Sequence, residues 1–142
     1  MQTNGKSSVK IPDSKLARQV TELIRDTENE LLFMHSARVY LWGALLGERK
    51  GVTFDPELLY VAAMFHDIGL TSIYHESQLR FEVDGANAAR DFLRSHRIAE
   101  ADIDKVWNAV ALAHDAWHPG THARRNCPVA GRRRNRRSGA RL

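Results

Sequence analysis

Three side chains of this chain could together hold a divalent cation: His35 and the adjacent pair His66-Asp67. His66-Asp67 closes the apolar stretch PELLYVAAMFHDIGL, Pro56 to Leu70, where little else is polar. An imidazole and a carboxylate in such surroundings need a partner. A metal ion satisfies both at once, because neutral imidazole and carboxylate are good ligands for zinc, manganese or iron. The dipeptide alone is common by chance, and a helix end whose Asp67 faces water would also explain it. His35 adds to the case. It lies in a helical pattern from Glu28 to Arg49, where Leu31, Val39, Trp42 and Leu46 recur at spacings of three and four, so its imidazole is expected on the buried face. A lone histidine on an apolar face is more often a satisfied core residue. With a second helix that ends in His-Asp, it becomes the first member of a three-residue metal set, His35, His66 and Asp67.

Two imidazoles and a carboxylate leave coordination positions open for water. A bound cation lowers the pKa of that water from about 16 toward roughly 7 and can polarise the group under attack. Hydrolysis or hydration of a small substrate is the chemistry this set would support. A phosphate ester would need basic residues nearby, for which Arg38 and Arg80 are candidates. Arg38 is equally explained by a solvated helix face, and Arg80 by a pair with Glu82 or Asp84 that holds the loop over residues 71–83. Asp84 reads as a helix cap first and as a partner of the metal site second. His75 reads as an ordinary exposed histidine, and Trp42 and Trp107 as core.

The elements that must position these residues are helical. Asp13 or Ser14 caps a first helix through about Asp26, with Leu16, Val20, Leu23 and Ile24 on one face. The second spans about Glu28 to Arg49 and ends at Gly51. Asp55-Pro56 opens a third, with the aspartate as cap and the proline at the first helical position, ending near His66; Gly69 follows as a left-handed stop. Thr71 to Val83 is irregular and reads as a loop over the site. Asp84 is expected to cap a fourth helix through about Ser95, and a fifth runs from about Glu100 to Leu112 with Ile103, Val106, Trp107 and Val110 inward. The expectation is an all-α fold: a single helical domain of about five helices over residues 11–114, a disordered start over 1–10 and a basic tail over 115–142.

His35 followed by His66-Asp67 on successive helices resembles the HD superfamily of metal-dependent hydrolases. The segment HDIGLTSIYHESQLRFEVDGANAARDFL, His66 to Leu93, is similar to the cyanamide hydratase-like branch through HDIGLT and RFEVDGANAA. The likeness covers roughly Leu16 to Leu112. It implies an all-helical fold, one metal usually taken to be zinc, and addition of water to the nitrile carbon of cyanamide to give urea. In the wider superfamily the nucleophile attacks a phosphate ester. Asp67 and His114 are the expected catalytic residues.

The likeness breaks after Leu112. Members of the branch continue with a motif like ALHTTPGIPEH and then with helices that supply a fourth ligand, an aspartate. Here the residues are Ala113-His114-Asp115-Ala116-Trp117-His118-Pro119-Gly120-Thr121-His122. One permitted coding of them is GCA CAC GAC GCC TGG CAT CCC GGA ACA CAC. Begun one base later it reads CAC ACG ACG CCT GGC ATC CCG GAA CAC, or HTTPGIPEH. A one-base frameshift at about Ala113 is therefore expected, with an incomplete C-terminal part as its consequence. Asp115 is a weak candidate for the fourth ligand.

Composition bounds the remaining classes. The chain has 142 residues, 43% of them hydrophobic, enough for one modest core. No run of about eighteen apolar residues and no secretory pattern is present, and the single Cys127 excludes an internal disulfide, so a cytoplasmic, non-membrane protein is expected. Residues 1–122 hold 13 Lys/Arg against 17 Asp/Glu, whereas residues 123–142 hold eight arginines and no acid. Clustered arginines attract phosphates, but this tail lacks interleaved aromatics and any groove-reading motif, so nucleic acid is not the expected partner. A small molecule is.

Overall fold

The computed structural model describes residues 9–112, which form five α-helices and two single 3-10 turns, with no strand among the described residues. Helix α1 spans Lys15–Thr27. Ser14, rather than Asp13, caps it by accepting from the Ala17 amide at 3.1 Å, while Asp13 pairs with Arg18 at 2.8 Å. Leu16, Ala17, Val20 and Ile24 form its buried stripe; Leu23, expected in that stripe, is largely exposed. Ahead of α1, the Lys10 carbonyl accepts from the buried Tyr40 hydroxyl, and Val9 packs against the core.

Helix α2 spans Glu30–Arg49 and begins later than the pattern suggests, because Asn29 is its cap and Glu28 still belongs to the end of α1, donating its amide to the Ile24 carbonyl. The face it buries also differs from the expected one. Ser36, Tyr40 and Ala44 are fully inside, with Phe33 and Val39 partly so, whereas Leu31 is 80% and Trp42 66% exposed. The cause lies in the sequence. Apolar residues occur almost all round this helix, so spacing alone does not select a side, and the small Ser36 and Ala44 mark the side where a neighbouring helix can approach closely.

That neighbour is α3, Pro56–Phe65, capped by Asp55, whose carboxylate accepts from Glu57 and Leu58, with Pro56 at the start. Tyr60 to Phe65 are buried without interruption because α1, α2, α4 and α5 all pack on this helix. Tyr60 meets Tyr40 edge-on at 5.2 Å and bonds Thr21 of α1 through its hydroxyl. The burial of α3 on every side fixes where its C-terminal end, and so His66, must sit.

After α3 the chain makes short 3-10 turns at Ile68–Leu70 and Ser72–Tyr74. Gly69 is not the left-handed stop expected of it; among the described residues the positive-φ glycine is Gly51, at 66°. Gly69 is required for a different reason, since a Cβ there would lie 2.1 Å from the Phe81 carbonyl oxygen. Helix α4, Phe81–Ser95, starts three residues before Asp84, with Arg80 at its cap position and no side-chain cap. Helix α5 spans Glu100–Ala111 and buries Ile103, Val106 and Val110 as expected, with Trp107 half-buried and donating to Asn87 at 3.0 Å. Arg94 and Glu100 form a two-pronged pair across the α4–α5 turn at 3.0 and 3.1 Å. No helix among the described residues is long and apolar enough to cross a membrane.

Candidate metal centre

His66 occupies the C-terminal cap of α3, and Asp67 follows it. Both are buried, at 7% and 8% exposure. Across from them, the second turn of α2 delivers His35. Its Nε2 stands 3.3 Å from Asp67 Oδ2, and His66 Nε2 stands 2.9 Å from the same oxygen. The two rings lie 5.6 Å apart and are tilted by 43°. One donor atom from each of the three residues falls within 4.8 Å of the others. Donors about 2.0–2.2 Å from one ion lie no farther apart than about twice that distance, so a small inward adjustment brings all three onto a common ion.

The donor chemistry also fits. His66 Nδ1 bonds the Ala63 carbonyl one turn back. A carbonyl only accepts, so Nδ1 carries a proton, and in the neutral ring Nε2, directed at Asp67, would keep the lone pair that a cation could use. Burial works against a charge on His66, but the hydrogen bond and negative charge of Asp67, the Ala63 carbonyl and the charge of Glu28 outweigh it and raise its pKa above the ordinary value. The surroundings thus favour positive charge between His66 and Asp67, which a proton supplies in part and a divalent cation in full.

His35 departs from expectation in one respect. It does not share a buried face; its side chain is 54% exposed, on the same stripe as Leu31 and Trp42. Among the described residues the site is accordingly buried along α3 and exposed on the α2 side.

The remaining candidates divide. Arg80 pairs with the buried Glu82 at 3.5 Å, one of the two pairings its sequence position suggests. Asp84 is not a cap. It is buried in the first turn of α4 and accepts from Ser77 at 2.8 Å, tying down the loop over residues 71–80. Arg38 is exposed, His75 is exposed beside Glu76 at 3.6 Å, and Trp42 lies outside the core. His114 and Asp115 lie outside the described residues.

One acid gives no sign of itself in the sequence. Glu28 is only 6% exposed, and its pKa is pushed up to about 7, first by burial and then by the negative charge of Asp67, against the opposing charge of His66. In the stretch Asp26-Thr27-Glu28-Asn29-Glu30 nothing distinguishes it from its solvated neighbours. Only the tertiary packing does.

A family model for the HD domain matches residues 32–138. The chain belongs to the HD domain family, whose members bind divalent metals and are typically metal-dependent hydrolases. The bounds of the match run past Ala113, where the frameshift expectation places its break. No curated protein matches the chain.

Proposed function

We propose that the protein is an HD-type hydratase that adds water to a small nitrile, cyanamide or a close relative, giving urea or the corresponding amide. The observation that supports this most is the convergence of His35 and His66 Nε2 on Asp67 Oδ2 at 3.3 and 2.9 Å. Two imidazoles and one carboxylate suit zinc, with manganese or iron as alternatives. A divalent ion held by His35, His66 and Asp67 would lower the pKa of water toward about 7 and so supply a nucleophile at neutral pH.

The chain's own residues have separable roles in this reading. The Ala63 carbonyl orients His66 and selects its tautomer. Asp67, whose Oδ2 is 2.9 Å from His66 Nε2, would accept a proton from the attacking water. His114 is the second proposed catalytic residue. The Ser77–Asp84 hydrogen bond, at 2.8 Å, anchors the loop beside the site, and the open His35 side admits a substrate of few atoms.

Arg38, exposed one turn beyond His35, favours a second reading, hydrolysis of a phosphate ester or nucleotide whose charge it would meet. Incubation of the zinc-loaded protein with cyanamide, and separately with nucleotide phosphates, distinguishes the two. Urea formation that is lost in His66→Ala supports hydration. Phosphate release with no urea supports the second reading, and turnover by metal-free His66→Ala contradicts both.

A further inference from the structure

Both carboxylate oxygens of Glu28 are buried without a hydrogen-bond partner, and so is the hydroxyl of Ser36, which is fully inside. The two come from different parts of the chain: Glu28 from the α1–α2 junction, and Ser36 from α2, next to His35. The Ser36 hydroxyl comes near enough to ease the charge on Glu28, but not in the geometry of a hydrogen bond. An unpartnered buried acceptor costs about 1–3 kcal/mol, more when charged, and native folds rarely keep such groups without a reason. Capping does not supply that reason, because α1 ends on the Glu28 backbone amide and not on its side chain. Both ends of the metal-site pair act on Glu28, since Asp67 repels its charge and His66 attracts it. With Asp67, Glu28 makes the interior side of the centre anionic.

We infer that Glu28 is a positioning residue of the cation centre: its buried, unpartnered carboxylate adds negative charge to the field around the His66–Asp67 pair and strengthens the hold of His35, His66 and Asp67 on a divalent ion. It is not itself one of the ligands. This rests on the cation site proposed above. Outer groups that orient or polarise metal ligands change affinity by about 10–100-fold when removed. An orphaned carboxylate, unlike a structural one, also burdens the metal-free fold. Its neutral isostere should therefore weaken metal binding without weakening the protein.

The test is zinc affinity of the full 142-residue chain, measured by competition with a chelator, alongside thermal melting of the metal-free protein. Glu28→Gln is expected to raise the zinc Kd by about tenfold and to leave the metal-free Tm unchanged or higher. Ser36→Ala should shift Kd in the same direction by less. A Glu28→Gln Kd within about twofold of the parent, with binding lost in His66→Ala, overturns the inference and leaves the cation site standing. Loss of affinity accompanied by a lower metal-free Tm also overturns it, because Glu28 would then be structural. Zinc binding undiminished in His66→Ala removes the site itself, and the inference with it.

Discussion

Gly85 lies against the end of α3 so closely that a Cβ at this position would stand 2.6 Å from the Phe65 carbonyl oxygen. Phe65 immediately precedes His66, so the approach of α4 at Gly85 sets the height at which the metal-site pair is held. Gly85→Ala should destabilise the fold by about 1–3 kcal/mol, the usual cost of forcing atoms into a packed interior. Gly69→Ala should be worse, since its Cβ would meet the Phe81 backbone oxygen at 2.1 Å and neither partner is a flexible side chain. Urea denaturation of the two variants checks the order; a Gly85→Ala protein as stable as the parent would show that α4 can move away freely.

The buried side of α2 makes a second check. Tyr40, 1% exposed and packed on Tyr60, should cost about 3–5 kcal/mol when cut to alanine, in the range of large aromatic deletions. Trp42→Ser, at a site 66% exposed, should change stability by no more than about 0.5 kcal/mol. A large loss at Trp42 with little at Tyr40 would mean that the helix is rotated from the orientation described.

Glu28 gives the metal-free protein a pH dependence of known sign. Its carboxyl moves from the usual 4.5 to about 7 on folding, so between those values the native state keeps a proton that the unfolded chain has released. Stability from this group is therefore greatest below about pH 4.5 and declines as pH rises through about 7. Glu28→Gln should remove that decline, so that its advantage over the parent grows from about pH 5 to about pH 7.5. Parallel stability curves for the two proteins over this window would contradict the burial of a titrating carboxyl.

The frameshift reading is checked at the level of nucleic acid. The coding DNA from Ala113 onward, read one base later, should spell HTTPGIPEH and continue in an open frame. A second frame that spells anything else ends that reading and leaves His114 and Asp115 as native residues of the chain.

Two of the three helix starts with a capping side chain were legible; that of α2, capped by Asn29, was not. Asp55-Pro56 announces α3, and Ser14 stands where α1 begins, because each acts on amides two or three residues away. The pairing of His35 with His66-Asp67 was legible for a similar reason: few residue types bind metal, and apolar neighbours make them conspicuous. What depends on neighbours distant in sequence was not. Asp84 has the composition of a cap but lies inside α4, because Gly69 and Gly85 draw that helix onto the end of α3. The apolar stripe through Leu31 and Trp42 is as regular as the one that is buried, so the exposure of His35 could not be read from spacing. Glu28 carries no local mark at all; its burial comes from the junction of α1 and α2.

Whether His35, His66 and Asp67 hold one divalent ion is decided most directly by the zinc bound per chain in the parent, His35→Ala, His66→Ala and Asp67→Asn after exhaustive dialysis. About one equivalent is expected for the parent and a large loss in every variant, with helical circular dichroism retained. A parent that binds no divalent ion, or a full equivalent retained when His66 is replaced, would contradict the assignment of these three side chains to a metal centre.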